Sequence, residues 1–489
     1  MNYVFTNRIA YLALRNLIAR VLCLSILVSA IAGCTANQPW RTQGLVSCPG
    51  KGCDTTIIQK YENYDLSFVE FTERGNVFNR DRLNAVLEHV DSLAQKPQGV
   101  AAIVFVHGWK HNASEDDENV RSFRKLLAKT AALRDMGVLL HGRKLVGIYI
   151  GWRGLSLDVP LLKELSYWER KAVAHEVGKG GVTEFLLRLE RTLVEEPGPQ
   201  PAVIDPNKNL FLVIGHSFGG AIVLTALNEI LIERLVSAQR ARSGCGLAAK
   251  PGCRICLETR NFGHGVVLLN PAIEANEALQ LKELSSQICF APSQQRLLHV
   301  ISSDADEATN KAFRIGQWFG VSLSWREAQI ERNLGNETVQ LDESDLDTIT
   351  VGNFIPFQTG QLRAAKHQRD PSQKDKTVWH YDSCVQSTEC LSPNSDYKRQ
   401  HIPVSPYEPL AFIHTDSEFI ADHNDVFNDN VAAYLAAIMA EARHRRAQDL
   451  KPSPQRLEPN PQECMKQSFF DFGSCFSHYQ KIFGLTSTP

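Results

Sequence analysis

Short apolar runs alternate with stretches in which apolar residues recur every three to four positions, from about Tyr61 to Met439. Runs of the first kind fit strands buried on both faces, and the second spacing fits helices with one buried stripe. "YDLSFVEF", Tyr64 to Phe71, alternates like an early strand, and "AAIVFV", Ala101 to Val106, is continuous, as in the interior of a parallel sheet. The helix after it is predicted to start near Ser114, where Ser-Glu-Asp-Asp offers a cap and a negative first turn. Val120, Phe123, Leu126 and Leu127 are its expected buried positions. "KLVGIYIGW" and "LFLVI" supply two further strands, and the helix beyond the second carries Ile222, Val223, Leu227, Ile230 and Leu231. "GVVLLN", Gly265 to Asn270, and "RLLHVIS", Arg296 to Ser302, follow. "LAFIH" is the expected last strand, and Phe427, Val431, Leu435 and Ile438 share one face of a closing helix.

Strands alternating with helices predict an α/β fold: a mostly parallel central sheet flanked by helices on both faces, with insertions. The insertions lie near 153–209, 241–262 and 321–409. The first carries Phe185, Leu186, Leu189 and Leu193 at helical spacing and reads equally as a cover over the rim of the sheet or as a surface helical hairpin. The third is polar and loop-rich, without legible chemistry. The expected organisation is a leader over 1–33, a tether over 34–60, the folded domain over 61–445 and a cysteine-containing extension over 446–489.

Composition narrows the class. At 489 residues and 43% hydrophobic content the chain can bury a large core, and a net charge of -2 gives no broad electrostatic footprint for nucleic acid. The basic run Arg443 to Arg446 closes a helix and reads as a solvated end that complements the dipole. Arg8, Arg15 and Arg20 precede "VLCLSILVSAIAG", an apolar run short for a membrane span and typical of an export leader. Its end, Ile31-Ala32-Gly33-Cys34, resembles the lipobox of bacterial lipoproteins. The resemblance implies cleavage before Cys34, acylation of that cysteine and a place in the bacterial cell envelope, with Thr35 in place of aspartate pointing to the outer membrane. Cys23 and Cys34 apart, ten of the twelve cysteines remain, an even set that suits an oxidising compartment. Cys48 with Cys53, Cys384 with Cys390, and Cys464 with Cys475 are spaced to close short loops; Cys245, Cys253, Cys256 and Cys289 read as structural disulfides rather than a metal site.

The chemistry centres on Gly215-His216-Ser217-Phe218-Gly219, a G-x-S-x-G pattern that is weak alone. Its setting strengthens it, because a strand ends and a helix begins there, and the small Gly215 and Gly219 permit the strained turn that holds a nucleophile up. Such a serine needs an imidazole to take its proton and a carboxylate to orient the imidazole. Asp304 and Asp306 lie just past one strand; His414 and His423 lie at and beyond the last. His216, beside the serine, is assigned to packing or hydrogen bonding. The oxyanion of the transition state needs donors: the backbone N–H of Phe218, and that of Trp109 in the turn Val106-His107-Gly108-Trp109.

"VFVHGWKHNA", "VIGHSFGGAI", "SSDADEATNKAF" and "IADHNDVF" together resemble an α/β-hydrolase of the lipase and esterase type, over roughly Tyr61 to Ala440. Within a bacterial and fungal branch the acid precedes an Ala-Thr stretch and the base stands in a His-Asn/Ser-Asp motif. The resemblance thereby implies Ser217, Asp306 and His423 as the triad, in that family's chain order. It also implies a serine hydrolase that cleaves carboxylic esters, acts on a small-molecule or lipid ester and needs no metal or organic cofactor. An "HGGG" oxyanion motif is absent from the sequence. Residue types leave open an acyltransferase or amidase using the same triad, and a surface lipoprotein whose hydrolase fold serves only interaction.

Overall fold

The computed structural model describes residues 37–48, 55–135, 140, 142–154, 166–194, 208–241, 258–288, 290, 294–314, 328–334, 337–364, 379–383 and 407–448. The strands described are β1 (Gln43–Cys48), β2 (Thr56–Lys60), β3 (Tyr64–Glu70), β4 (Val100–Val106), β5 (Lys144–Gly151), β6 (Leu210–His216), β7 (Gly265–Leu269), β8 (Leu298–Ser303), β9 (Gln329–Leu334), β10 (Glu337–Asp342), β11 (Gly360–Ala364), β12 (Trp379–Ser383) and β13 (Leu410–Thr415). The helices are α1 (Arg80–Ala94), α2 (Glu118–Asp135), α3 (Ser166–Val177), α4 (Thr183–Leu193), α5 (Phe218–Ala241), α6 (Asn276–Ser286), α7 (Glu343–Thr348) and α8 (Asp429–Gln448).

Eleven strands form one sheet in the order β1, β2, β3, β5, β4, β6, β7, β8, β13, β11, β12, and β9 with β10 forms a separate hairpin. Every pairing from β3 across to β11 is parallel. β2 and β12 run antiparallel to their inner neighbours. The parallel core follows from its sequences. All seven residues of β4 are buried, with Val100, Ala102, Val104 and Val106 packing into one hydrophobic core and Ala101, Ile103 and Phe105 into the other. α1, α4, α5 and α6 bury their apolar residues in the first core, and α2 and α8 in the second. The fold is therefore α/β, with a large, mostly parallel sheet flanked by helices on both faces.

Several boundaries differ from the sequence expectation. The segment 34–60, expected as tether, contributes β1 and β2 to the sheet, so the part of it left outside the strands ahead of β1 is short. "LAFIH" is the last strand of the chain, as expected, but the insertion read as loop-rich supplies β11 and β12, which extend the sheet beyond it. α2 starts at Glu118 rather than near Ser114: Asp117 Oδ1 accepts the Asn119 N–H at 2.8 Å, while Glu115 is drawn to Arg124 and Arg41. The described part of the first insertion, α3 and α4 joined by the wide turn Gly178–Val182, packs onto the sheet-covering helices and buries Phe185, Leu186, Leu189 and Leu193.

One feature of the strand order sets the site. From β4 the chain goes to β5 on one side, and from β6 it goes to β7 on the other. At such a reversal the loops leave the strand ends in opposite directions and open a crevice. Val106 pairs with Gly215 at that end of β4 and β6, so the His107-Gly108 turn and the His216-Ser217 turn emerge side by side, with Gly108 against Ser217.

Candidate active site

Ser217 stands between the end of β6 and the first residue of α5 with φ +56°, a left-handed conformation that costs a non-glycine residue about 1–3 kcal/mol. The surroundings hold it there. Its N–H donates to Leu269 O at 3.1 Å, and its carbonyl accepts the N–H groups of Gly220 at 2.9 Å and Ala272 at 3.1 Å. A Cβ on Gly215 would stand 2.6 Å from Gly219 O, and one on Gly219 only 2.0 Å from Val106 O. The two glycines let the start of α5 press against its own strand and against β4.

His423 reaches the serine from the loop between β13 and α8. Its Nε2 is 2.8 Å from Ser217 Oγ, and its Nδ1 is 2.8 Å from Asp306 Oδ2. Asp306 is fully buried. Its Oδ1 accepts the N–H groups of Ala308 at 2.9 Å and Thr309 at 3.2 Å, and its Oδ2 accepts the Thr309 hydroxyl at 2.6 Å. An ionised carboxylate only accepts, so His423 Nδ1 carries the proton and Nε2 presents a lone pair to the serine hydroxyl. The structure thus brings Ser217, His423 and Asp306 into one line of hydrogen bonds. It sets Asp304 and His414 apart as a second pair at the ends of β8 and β13, 3.2 Å from each other. The Asp304 side chain is half exposed, and burial lowers the His414 imidazole from its ordinary value against the pull of Asp304.

The turn after β4 lies directly against Ser217: a Cβ on Gly108 would meet Ser217 Cβ at 2.7 Å. His107 shapes this turn. Trp152, one residue past β5, donates its N–H to His107 Nε2 at 3.1 Å and its Nε1–H to the His107 carbonyl at 2.9 Å. His107 Nδ1 then donates to Gly108 O at 2.9 Å. The His107 and Trp152 rings stack with 9° between their planes, and burial pushes the imidazole down to about 4. Lys110 follows at φ +69°, its N–H donating to Gly154 O at 3.1 Å and its ammonium 4.0 Å from the centre of the Trp109 ring. Trp109 succeeds Gly108 and Phe218 succeeds Ser217, so both backbone N–H groups belong to the two segments that meet at the serine.

Asn270 and Thr309 support this line without a role assigned from the sequence, and His216 takes the hydrogen-bonding place expected of it. Asn270, at φ +43° just past β7, accepts the Ser303 N–H at 3.1 Å and holds its amide 3.4 Å from the carbonyls of Asp422 and His423. His216 donates Nε2–H to the His423 carbonyl at 2.8 Å. Burial, with the neighbouring His423, keeps the His216 imidazole well below its ordinary value, so it supports the His423 backbone without adding charge beside it. Thr309, three residues after Asp306, bonds its hydroxyl back to that carboxylate, a local pattern visible in the sequence.

Among the described residues, no cluster of three His, Cys, Asp or Glu side chains is arranged to hold a metal ion, and no helix is long and apolar enough to cross a membrane. The leader, Cys34, the extension over 449–489 and every cysteine except Cys48 lie outside the described residues. Family models, curated proteins and solved structures give no match to the chain.

Proposed function

We propose that the chain is a serine hydrolase of the α/β-hydrolase type that cleaves carboxylic esters while tethered to a bacterial membrane by a lipid on Cys34. The observation that carries the reading is the continuous line from Ser217 Oγ through His423 to Asp306, with both hydrogen bonds at 2.8 Å. The strained Ser217 between β6 and α5, the glycine contacts around it and the serine, aspartate, histidine chain order support the same assignment.

In this mechanism His423 Nε2 takes the Ser217 proton as Oγ attacks the ester carbonyl carbon. The imidazolium that forms is stabilised by Asp306, whose four accepted hydrogen bonds keep it aligned. The carbonyl oxygen becomes an oxyanion facing the N–H groups of Phe218 and Trp109, each such donor being worth about 3 kcal/mol. Collapse breaks the ester C–O bond; the alcohol leaves with the proton from His423 Nε2, and the acyl group stays on Ser217. Water then gives a proton to His423 and its oxygen to the acyl carbon. The acid departs and the proton returns to Ser217.

Fluorophosphonate labelling with an acyl-ester chain-length series tests the reading. Ser217→Ala is expected to abolish labelling, and Ser217→Ala and His423→Ala each to lower turnover by about 10⁴-fold or more. Equal labelling and turnover in the native chain and Ser217→Ala overturn it. Asp306→Asn is expected to lose most activity and Asp304→Asn to keep it; the reverse pattern moves the acid to the other pair.

A further inference from the structure

The strap ahead of β1 is fixed on the same rim of the sheet as the serine. β1 pairs parallel with β2, and β2 antiparallel with β3, so β1 runs against the central strands and its first residue lies at the edge where β3, β5, β4 and β6 end. The backbone N–H groups of Trp40 and Arg41 each donate at 2.8 Å to one oxygen of Glu70, the last residue of β3. Arg41 is buried; its Nε–H donates to Ala113 O at 2.8 Å and its Nη1 to Glu115 at 3.1 Å, with the guanidinium 3.7 Å from the centre of the Phe68 ring. Arg82 in turn holds the carbonyls of Arg41 and Thr42 at 2.7 and 2.6 Å. Ala113 and Glu115 continue the His107–Trp109 turn, so the strap is bonded to the segment that borders the nucleophile.

Distances follow from chain geometry. Three strand steps separate β3 from β6, about 14 Å at the usual interstrand spacing. Six residues separate Cys34 from Trp40, a reach of at most about 22 Å when fully extended. A strap fixed at the other end of β3 would add that strand's length, roughly 23 Å, between serine and anchor. Trp40 itself is 51% exposed, beside only Leu187 among exposed large hydrophobic side chains in the described residues. An indole with an apolar body and a polar N–H favours the headgroup layer of a bilayer.

We infer that the catalytic rim stands toward the bilayer that anchors Cys34, with Trp40 in the headgroup layer, and that the substrate is a lipid ester presented by that bilayer. The inference rests on the ester-hydrolase reading and on acylation of Cys34. A short tether fixed at the rim holds the serine at a high effective concentration of bilayer-resident ester and gives no such advantage for a dissolved one.

The test uses full-length lipidated protein in vesicles of phosphatidylethanolamine and phosphatidylglycerol. Brominated acyl chains in those lipids quench nearby tryptophan and read orientation without turnover. Stronger quenching in the native chain than in Trp40→Phe is expected; equal quenching overturns the inference. A flexible Gly-Ser insert of about 20 residues between Ala36 and Asn37 loosens the tether by about 25 Å. Hydrolysis of a long-chain ester dissolved in the vesicles is then expected to fall about tenfold, with p-nitrophenyl acetate hydrolysis unchanged. An insert that alters neither rate overturns the inference, as does protein that fails to float with the vesicles. The p-nitrophenyl acetate rate, compared with Ser217→Ala, reads the hydrolase assignment separately: if both chains are equally inert, that assignment fails, while the quenching still decides the orientation.

Discussion

Asp306 Oδ2 accepts two hydrogen bonds, from the Thr309 hydroxyl and from His423, and the first fixes the direction of the second. A hydrogen bond to a charged group contributes about 1.5–3 kcal/mol, so deleting this hydroxyl frees the carboxylate to rotate away from the imidazole. Thr309→Val is expected to lower kcat about tenfold with KM unchanged, and Thr309→Ser to restore it; steady-state kinetics that show a rise in KM alone would contradict this positioning role. Thr309 stands three residues after Asp306 and is open to local reasoning. Asn270 and Trp152 are not, because their partners are remote. Asn270 meets His423 across 153 positions, and Trp152 meets His107 across 45. Only the sheet order brings either pair together. The hydrogen-bonded grouping of Ser217, His423 and Asp306 matches the residues that type and chain order pick out, though choosing Asp306 over Asp304 needs the resemblance and not the residues alone.

At the scale of elements, the site depends on how closely α5 can start beside β4. Gly219 is the contact point, and a methyl group there would stand 2.0 Å from the Val106 carbonyl, a backbone atom that cannot swing aside. Gly219→Ala is expected to destabilise the fold by roughly 3 kcal/mol or more and to abolish turnover, as read by denaturant midpoints alongside the ester assay. A variant of native stability and activity would mean that the two segments pack less tightly than they stand here. The same closeness explains which elements the sequence disclosed. β4 to β7 and β13 are largely apolar runs buried on both faces, and β3 and β8 are buried strands with polar residues among the apolar ones, patterns visible without a partner. β1 and β12 are the edge strands, each with one neighbour, and β2 and β11 lie just inside them; at these margins short polar-containing stretches such as "TIIQK" and "WHYDS" serve. The start of α2 lies later than composition predicts for a related reason: Glu115 fits a helical first turn, but Arg41, distant in sequence, and Arg124, within the helix itself, hold it in the preceding loop.

The molecule as a whole carries histidines buried in the neutral form, and this sets its response to acid. Burial pushes His107 down to about 4. Burial also holds His216, helped by His423, and His299, helped by Arg296, well below the ordinary value. His175 and His414 are lowered in the same sense, again by burial first. In the unfolded chain each imidazole returns to about 6.5. Above that pH both states are neutral and these groups leave stability unchanged with pH. Below it the unfolded chain binds protons that the folded chain refuses, so folding stability falls as pH falls. For each histidine the loss approaches about 1.4 kcal/mol per pH unit, until the folded-state value is reached, about 4 for His107. His107, His216 and His299 together give a slope near 4 kcal/mol per unit in the range below about pH 6. Asp117 acts in a lower window: burial would raise its carboxyl, but His111 and neighbouring groups hold it below the ordinary value, so its contribution is lost only under about pH 4. Urea midpoints at pH 7.5 and 5.5 are therefore expected to differ strongly, with the m value constant. His299, whose Nδ1 lies 2.9 Å from the Tyr434 hydroxyl in the second core, is remote from the serine and isolates the effect. His299→Gln is expected to flatten the acid slope by about one third of the three-histidine value; a midpoint independent of pH in the native chain, or an unchanged slope in the variant, would contradict the neutral burial of these side chains.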